Sequence, residues 1–231
     1  MDLLSRDVHN HLLPGVDDGF RKEEDSLKAI GKMAAAGCRD LIFTPHMNPD
    51  VYPEESETHF REVYDSFIRK IPAEWGVTTH LAAEYMVVND FERRAAEETD
   101  SLLTWPDGSI LVEMSYFFRS KNFEQALFEL GLAGLKPVVA HPERYLYMVD
   151  SMKDFEKWYD MGCRFQFNFL SLTGKYGKES IKIMEHLFDE KMYDFVSSDL
   201  HTISQLDSIL EGDVVRKLRK PFAKFLENLS Y

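Results

Sequence analysis

Two imidazoles stand two residues apart near the start of the chain, at His9-Asn10-His11, directly after Asp7-Val8. On extended backbone, residues i and i+2 project to the same side, so both rings can reach one cation. An H-x-H pair has little specificity in a chain with eight histidines. Its company supplies what it lacks. Asp17-Asp18-Gly19 follows at once, and then come Thr44-Pro45-His46, Ala83-Glu84, Val112-Glu113, Ala140-His141-Pro142-Glu143-Arg144 and Ser198-Asp199-Leu200-His201. Nearly all of these close a short apolar run, which is where a barrel enzyme presents its ligands.

With 40 acidic residues in the chain, any one carboxylate is ordinarily a solvated surface charge. Glu84 and Glu113 differ because each ends an apolar stretch, where an unpaired carboxylate is poorly solvated and calls for a cation. Five of the eight histidines fall at such ends. His59 and His186 read as helix-surface residues, and His80 as a hydrogen-bonded core histidine. The candidate ligands are therefore His9, His11, Asp18, His46, Glu84, Glu113, His141, Asp199 and His201. One zinc takes three or four protein ligands, so this set suits two or three divalent ions with a bridging carboxylate. Imidazole and carboxylate without thiolate fit manganese, iron or zinc. The four carboxylates are outweighed by three divalent ions, and a cluster left positive attracts a phosphate dianion.

Those side chains need elements to hold them. Strands are predicted at Asp7 to His9, Asp40 to Thr44, Thr78 to Ala83, Ser109 to Glu113, Pro137 to Ala140, Arg164 to Asn168 and Asp194 to Ser197. Helical patterns lie between them: Glu23 to Ala36, Ser56 to Ile71, Asp90 to Glu98, Asn122 to Ala133, Met152 to Met161, Lys178 to Lys191 and Val214 to Asn228. Strict alternation implies a parallel sheet with helices outside. Without a glycine-rich dinucleotide loop, seven βα units favour an α/β barrel over an open sheet, built as one domain over residues 1–231. Gly37-Cys38-Arg39, Gly134-Leu135-Lys136 and Gly162-Cys163-Arg164 read as equivalent helix-to-strand turns on the opposite rim.

The net charge of −13 argues against a nucleic-acid partner. No apolar run approaches the roughly 18 residues of a membrane span, and the first residues do not read as a signal peptide. The expected location is the cytoplasm. Cys38 and Cys163 read as small buried side chains, and neither has an arginine six positions on, so cysteine-dependent phosphatase chemistry is not expected.

From Asp7 to about Leu210 the chain resembles the polymerase-and-histidinol-phosphatase (PHP) superfamily, most closely the bacterial capsular and exopolysaccharide tyrosine phosphatases. The resemblance rests on Asp7-Val8-His9-Asn10-His11-Leu12-Leu13-Pro14-Gly15-Val16-Asp17-Asp18-Gly19, Thr44-Pro45-His46, His141-Pro142-Glu143-Arg144-Tyr145 and Ser198-Asp199-Leu200-His201. It implies a distorted TIM-like barrel of seven βα units and three metals, often manganese. The nine candidate ligands match one for one. By that match His9, His11, Glu84 and Asp199 share one ion, Glu84, Glu113 and His141 a second, and Asp18, His46 and His201 a third.

The activity so implied is metal-dependent hydrolysis of phosphotyrosine, with Arg144, Asp199 and His201 as catalytic residues. The implied partner is the tyrosine-rich tail of a membrane-associated autokinase controlling polysaccharide export. A small-molecule phosphomonoesterase acting on histidinol phosphate or a sugar phosphate would use the same cluster and stays open, as does a homo-oligomer. A non-catalytic interaction module would have no need of so complete a ligand set. One departure stands out. Relatives place a second phosphate-facing arginine after the last motif, where this chain has Leu206. Arg119 and Lys121, after Glu113, are the nearest substitutes, with Arg119 expected to help Arg144 bind substrate.

Overall fold

The computed structural model describes residues 5–210. In chain order the elements are β1 (Arg6–Asp7), α1 (Glu23–Ala35), β2 (Asp40–Phe43), β3 (His46–Met47), α2 (Glu57–Phe67), β4 (Thr78–Leu81), β5 (Glu84–Met86), α3 (Phe91–Glu97), β6 (Ser109–Glu113), α4 (Phe123–Leu132), β7 (Lys136–Ala140), α5 (Met152–Asp160), β8 (Arg164–Asn168), α6 (Gly177–Asp189), β9 (Tyr193–Ser197) and α7 (Ile203–Leu210). The fold is α/β with parallel strands. They form two sheets, ordered β1-β2-β4 and β3-β5-β6-β7-β8-β9.

Seven strands were expected, and the described residues hold nine. Two expected strands end early, and each is followed by a short strand that was not expected. Asp40 to Thr44 runs only to Phe43, and pairing resumes at His46 after Thr44-Pro45, because a proline has no N–H to give the ladder. The expected strand Thr78 to Ala83 ends at Leu81, and β5 begins at Glu84 after Ala82-Ala83. Backbone hydrogen bonds carry the chain across both gaps, from Ala82 N to Phe43 O at 2.8 Å and from Glu84 N to Pro45 O at 3.0 Å. The expected strand Asp7 to His9 is shorter still, since β1 ends at Asp7. Beyond it, Asp199 N donates to His9 O at 2.8 Å and His11 N to Leu200 O at 3.0 Å, tying the first motif to the last.

Side chains alternate across the strands, as a period of two requires. Leu41 and Phe43, Ile110 and Val112, Val139, Phe165 and Phe167 belong to the main core that packs the helices. Their out-of-phase neighbours Ile42, Leu111, Val138 and Ala140 gather with Val8, Ala82 and Trp105 in a second, smaller core. Fully burying one such side chain contributes about 1.5–3 kcal/mol. Glu113 is in phase with Leu111, so a carboxylate continues the apolar row at the C-terminal strand end.

The helices follow their sequence signals. In α1, Glu23, Glu24 and Asp25 stand at the positive end of the helix dipole, and Ala29, Ile30, Met33 and Ala34 form the buried stripe. The Ser56 hydroxyl caps α2 by accepting from His59 N at 3.2 Å. Gly37 after α1 and Gly162 after α5 take φ values of +105° and +92°, which other residues rarely adopt. Cys38 and Cys163 follow them, free and buried as expected. His59 lies on the helix surface beside Glu55, and His186 is partly exposed beside Glu156. His80 is a correction. It is 37% exposed beside Asp40 rather than a core histidine: its register partner is Ile42 of the second core, but no residue of β4 is fully buried, so that face stays partly open to solvent.

The helix α7 was not anticipated. Ile203, Leu206 and Ile209 recur at helical spacing, and Leu206 and Ile209 are buried. The expected helix from Val214 to Asn228 lies outside the described residues. Among the described residues, no helix is long and apolar enough to cross a membrane.

Candidate metal centre

Seven of the nine predicted ligands sit at the C-terminal end of a strand or in the turns that follow, and His46 and Glu84 open the short strands that come directly after β2 and β4. His9 and His11 leave β1, His46 opens β3, Glu84 opens β5, Glu113 closes β6, His141 follows β7, and Asp199 and His201 follow β9. Asp18 comes in from the turn after the first motif. That turn has little choice of residue. A Cβ on Gly19 would lie 2.3 Å from the His11 carbonyl oxygen and 2.5 Å from the His11 Cβ, so glycine alone allows the loop to fold back beneath His11. His141 and Asp199 have φ of +32° and +47°, a strained backbone of the kind that collects at functional sites.

The centre is dry on one side and open on the other. His9, His11, Glu84 and His141 are fully buried, whereas Asp18 is 58% exposed. His9 Nε2 and His11 Nε2 approach to 3.2 Å. Glu84 Oε2 lies 3.2 Å from His9 Nε2, and Asp199 Oδ1 lies 3.3 Å from His11 Nε2. Glu84 Oε1 meets His141 Nε2 at 3.0 Å. His46 Nδ1 lies 3.0 Å from Glu84 Oε2 and 2.9 Å from Glu113 Oε1. Asp18 Oδ1 stands between His46 Nε2 at 3.5 Å and His201 Nε2 at 3.4 Å.

Several donors have no partner but each other. His46 Nδ1, Glu84 Oε2, both Glu113 oxygens and His141 Nδ1 are buried without a hydrogen bond of proper geometry. Leaving that many polar atoms unpaired is costly in a folded protein unless a cation is meant to occupy the gap. The tautomers point the same way. His9 Nδ1 faces Gln166 Oε1 at 2.9 Å and His11 Nδ1 faces Asp17 Oδ2 at 2.8 Å, both acceptors. Gln166 is held in that orientation because its Nε2 donates to Phe167 O at 2.6 Å and its Oε1 also accepts from His141 N. Each ring thus carries a proton on Nδ1 and turns its Nε2 toward the other. Nε2 is then the atom each ring offers to a cation. The donor set fits a metal.

Charge in the centre is tightly matched. Burial opposes ionisation of Glu84, but His9 and His46 outweigh it and hold the carboxyl well below its usual range. Asp199 is likewise held low against burial by His9, His11 and His201. Burial disfavours a charged His46, yet Glu113 and Glu84 raise its pKa well above the ordinary value. His141 goes the other way, lowered by burial and by Arg144. The field that would hold protons on His9, His11 and His46 is the field a divalent cation would neutralise.

Four overlapping groups bring donor atoms within ligand reach of one another: His11, Asp18, His46 and His201; His9, His11 and Glu84; His9, His141 and Asp199; and His46, Glu84 and Glu113. The first contains the expected Asp18-His46-His201 set. The others divide the remaining ligands differently from the expected partition, with His46 rather than His141 beside Glu113.

Arg144 reaches the cluster. Its Nη1 donates to Asp199 Oδ2 at 2.6 Å, and Asn168 Nδ2 donates to the same oxygen at 2.6 Å, which leaves Oδ1 for the imidazoles. Arg119 is turned elsewhere. It pairs with Asp154 and Glu124 at 2.6 Å each and stacks on Trp158. Leu206 is fully buried in α7 and so is part of the core. Cys38 and Cys163 thiols are both pushed up to about 12 by burial, which removes thiolate chemistry at neutral pH.

Sequence reasoning did not single out Asp17, Gln166 or Asn168 as the supports of His11, His9 and Asp199. Gln166 carried a usable signal, since it is one amide between Phe165 and Phe167 in an apolar strand.

Histidines and carboxylates gathered around the ends of parallel strands, with unpaired polar atoms facing inward, define an α/β protein with a candidate metal centre. The particular family follows from comparison. The chain matches the capsular polysaccharide synthesis family CpsB/CapC over residues 5–222, and it belongs to that family. It is 30% identical over 200 residues to the tyrosine-protein phosphatase YwqE of Bacillus subtilis, covering 85% of this chain and 77% of that one. It is 26% identical over 221 residues to the tyrosine-protein phosphatase CpsB of Streptococcus pneumoniae, covering 91% and 89%. Among solved structures it resembles one from work on YwqE of B. subtilis and CpsB of S. pneumoniae, described as metal-dependent tyrosine phosphatases. The TM-score is 0.75 at 27% identity, over 96% of this chain and 93% of that one.

Proposed function

We propose that this protein is a metal-dependent protein-tyrosine phosphatase of capsular or exopolysaccharide synthesis. The observation that carries the reading is the convergence of His9 Nε2 and His11 Nε2, 3.2 Å apart and ringed by Glu84 and Asp199. His9, His11, Asp18, His46, Glu84, Glu113, His141, Asp199 and His201 would hold two or three divalent ions, with manganese preferred over iron or zinc. Such ions lower the pKa of water to give a nucleophile and add positive charge at the phosphoryl oxygens.

The chain's own residues do the rest. Arg144 supplies donors for equatorial phosphoryl oxygens as charge develops there. Asp199, braced by Asn168, orients that guanidinium through one oxygen and faces the imidazoles with the other. His201 donates from Nδ1 to the Asp199 carbonyl oxygen at 2.9 Å, which fixes its ring with Nε2 toward Asp18. Tyrosinate, with a pKa of about 10, leaves without a strong general acid.

The reading extends to the architecture and setting. The two parallel sheets, bridged between Asn10 and Leu200, are taken as a distorted barrel in one catalytic domain. The substrate is taken to be a phosphotyrosine-bearing autokinase of polysaccharide export, met in the cytoplasm. Initial rates on a phosphotyrosine peptide and on histidinol phosphate, with elemental analysis of the same sample, test it. Faster turnover of histidinol phosphate would replace the protein substrate by a small molecule.

A further inference from the structure

Among the described residues, Arg144 is the arginine that meets the cluster, because Arg119 is spent on Asp154 and Glu124 and Leu206 is core. Two aromatic rings flank it. The Arg144 guanidinium carbon lies 4.3 Å from the Tyr116 ring centre and 4.7 Å from the Tyr176 ring centre. The rings come from different places, Tyr116 from the turn after β6 and Tyr176 from the turn before α6. Each is held in its own right. The Tyr116 hydroxyl lies 3.3 Å from His141 Nε2, and the Tyr176 hydroxyl is 3.5 Å from Asn168 Nδ2.

Cation–π stacking favours one plane for a guanidinium and leaves its N–H edge free for an anion. A long, unrestrained arginine loses rotamer freedom when it grips a phosphate, and restraint beforehand removes that loss. The Nη1 bond to Asp199 fixes the remaining rotation within the plane. We propose that Tyr116 and Tyr176 are positioning residues for Arg144, clamping its guanidinium so that one preorganised arginine serves at the phosphoryl site. The inference rests on the phosphatase reading above and adds residues to it. The rings touch Arg144, and their effect on substrate passes through it.

A double-mutant cycle on the metal-loaded enzyme tests the clamp, using Tyr176→Phe, Tyr176→Leu, Arg144→Ala and the Arg144→Ala, Tyr176→Leu pair. The measurements are kcat and KM on a phosphotyrosine peptide, Kd for inorganic phosphate by calorimetry, and metal content. Tyr176→Phe keeps the ring and should bind phosphate like the parent. Tyr176→Leu should weaken phosphate binding ~10-fold at unchanged metal content. In the Arg144→Ala background the same Leu should change nothing further. Equal effects of Tyr176→Leu in both backgrounds, or parent-like phosphate affinity in Tyr176→Leu, overturn the clamp. Should Tyr176→Leu fail to fold, Arg144→Lys asks the question with both rings intact. Its compact ammonium has no plane to hold, so phosphate affinity should fall at least as far, and parent-like affinity would again overturn the proposal. An active parent with additive variants leaves the phosphatase reading standing, whereas an inactive parent removes both.

Discussion

His9 and His11 turn their Nε2 atoms toward one another at 3.2 Å, while each ring's Nδ1 faces a protein acceptor. Without a cation the two Nε2 atoms share one proton in a hydrogen bond; a divalent cation would take both Nε2 lone pairs, with Glu84 and Asp199 beside them. This gives the first prediction. Exhaustive chelation should abolish phosphatase activity and lower Tm, and Mn²⁺ should restore both. His9→Ala should lose metal by elemental analysis as well as turnover. Gln166→Leu, which leaves every ligand in place but frees the His9 ring, should weaken metal affinity about 10-fold to 100-fold. Unimpaired turnover by metal-free protein would sink the mechanism.

The contrast between Glu113 and Arg119 shows what the sequence made legible. Glu113 closes an apolar strand, and strand period plus the cost of a buried charge suffice to place it. His141 and Asp199 follow apolar strands in the same way, whereas Asp18, 58% exposed in a turn, was legible only through its place in the Asp17-Asp18-Gly19 motif. Arg119 obeys no such rule. Its distance from Glu113 along the chain said nothing of Asp154, which reaches it from α5 across 35 positions. Gln166 and Asn168 act through bonds spanning 157 and 31 positions, and such tertiary pairs leave no periodic trace. The early strand ends at Thr44-Pro45 and Ala82-Ala83 were hidden for a related reason. Apolar content predicts extension, but not where the ladder passes to a different neighbour.

Arg144 and Arg119 should part company in kinetics. Arg144→Ala removes a charge-assisted phosphate contact worth roughly 2–4 kcal/mol, so kcat/KM should fall about 30-fold to 1,000-fold. Arg119→Ala breaks two ion pairs at a side chain 36% exposed, where solvent screening leaves about 0.5–1 kcal/mol of stability. It should lower the urea midpoint slightly and spare kcat. A large KM rise in Arg119→Ala, with unchanged stability, would instead restore it to substrate binding.

Cys38→Ser and Cys163→Ser should retain near-normal turnover with a modest stability loss, since both thiols are buried and pushed up to about 12. No phosphocysteine should form during turnover. A trapped covalent phosphoenzyme on either residue, detected by mass spectrometry, would contradict the metal-water nucleophile.

Glu143 gives a pH signature separate from the ligands' own chemistry. It is fully buried, accepting from Asn168 N at 3.0 Å and Ser171 Oγ at 2.6 Å through Oε1 and from the Tyr193 hydroxyl at 3.0 Å through Oε2. Burial raises its pKa to about 7 from an ordinary 4.5, against the pull of those donors. A carboxyl raised on folding is protonated in both states below about pH 4.5 and contributes no pH dependence there. Between about 4.5 and 7 the unfolded chain gives up the proton while the folded protein keeps it, so stability falls as pH rises. Above about 7 the loss is complete, and two to three pKa units correspond to ~3 kcal/mol. Glutamine can stand in for the protonated carboxyl, accepting through Oε1 and donating to the Tyr193 hydroxyl through Nε2. Urea unfolding of the parent and of Glu143→Gln at pH 5, 6, 7 and 8 isolates the effect, because the other titrating groups cancel in the difference. The glutamine variant should gain on the parent by ~3 kcal/mol across that range. A difference that stays flat with pH would show that Glu143 is ionised throughout.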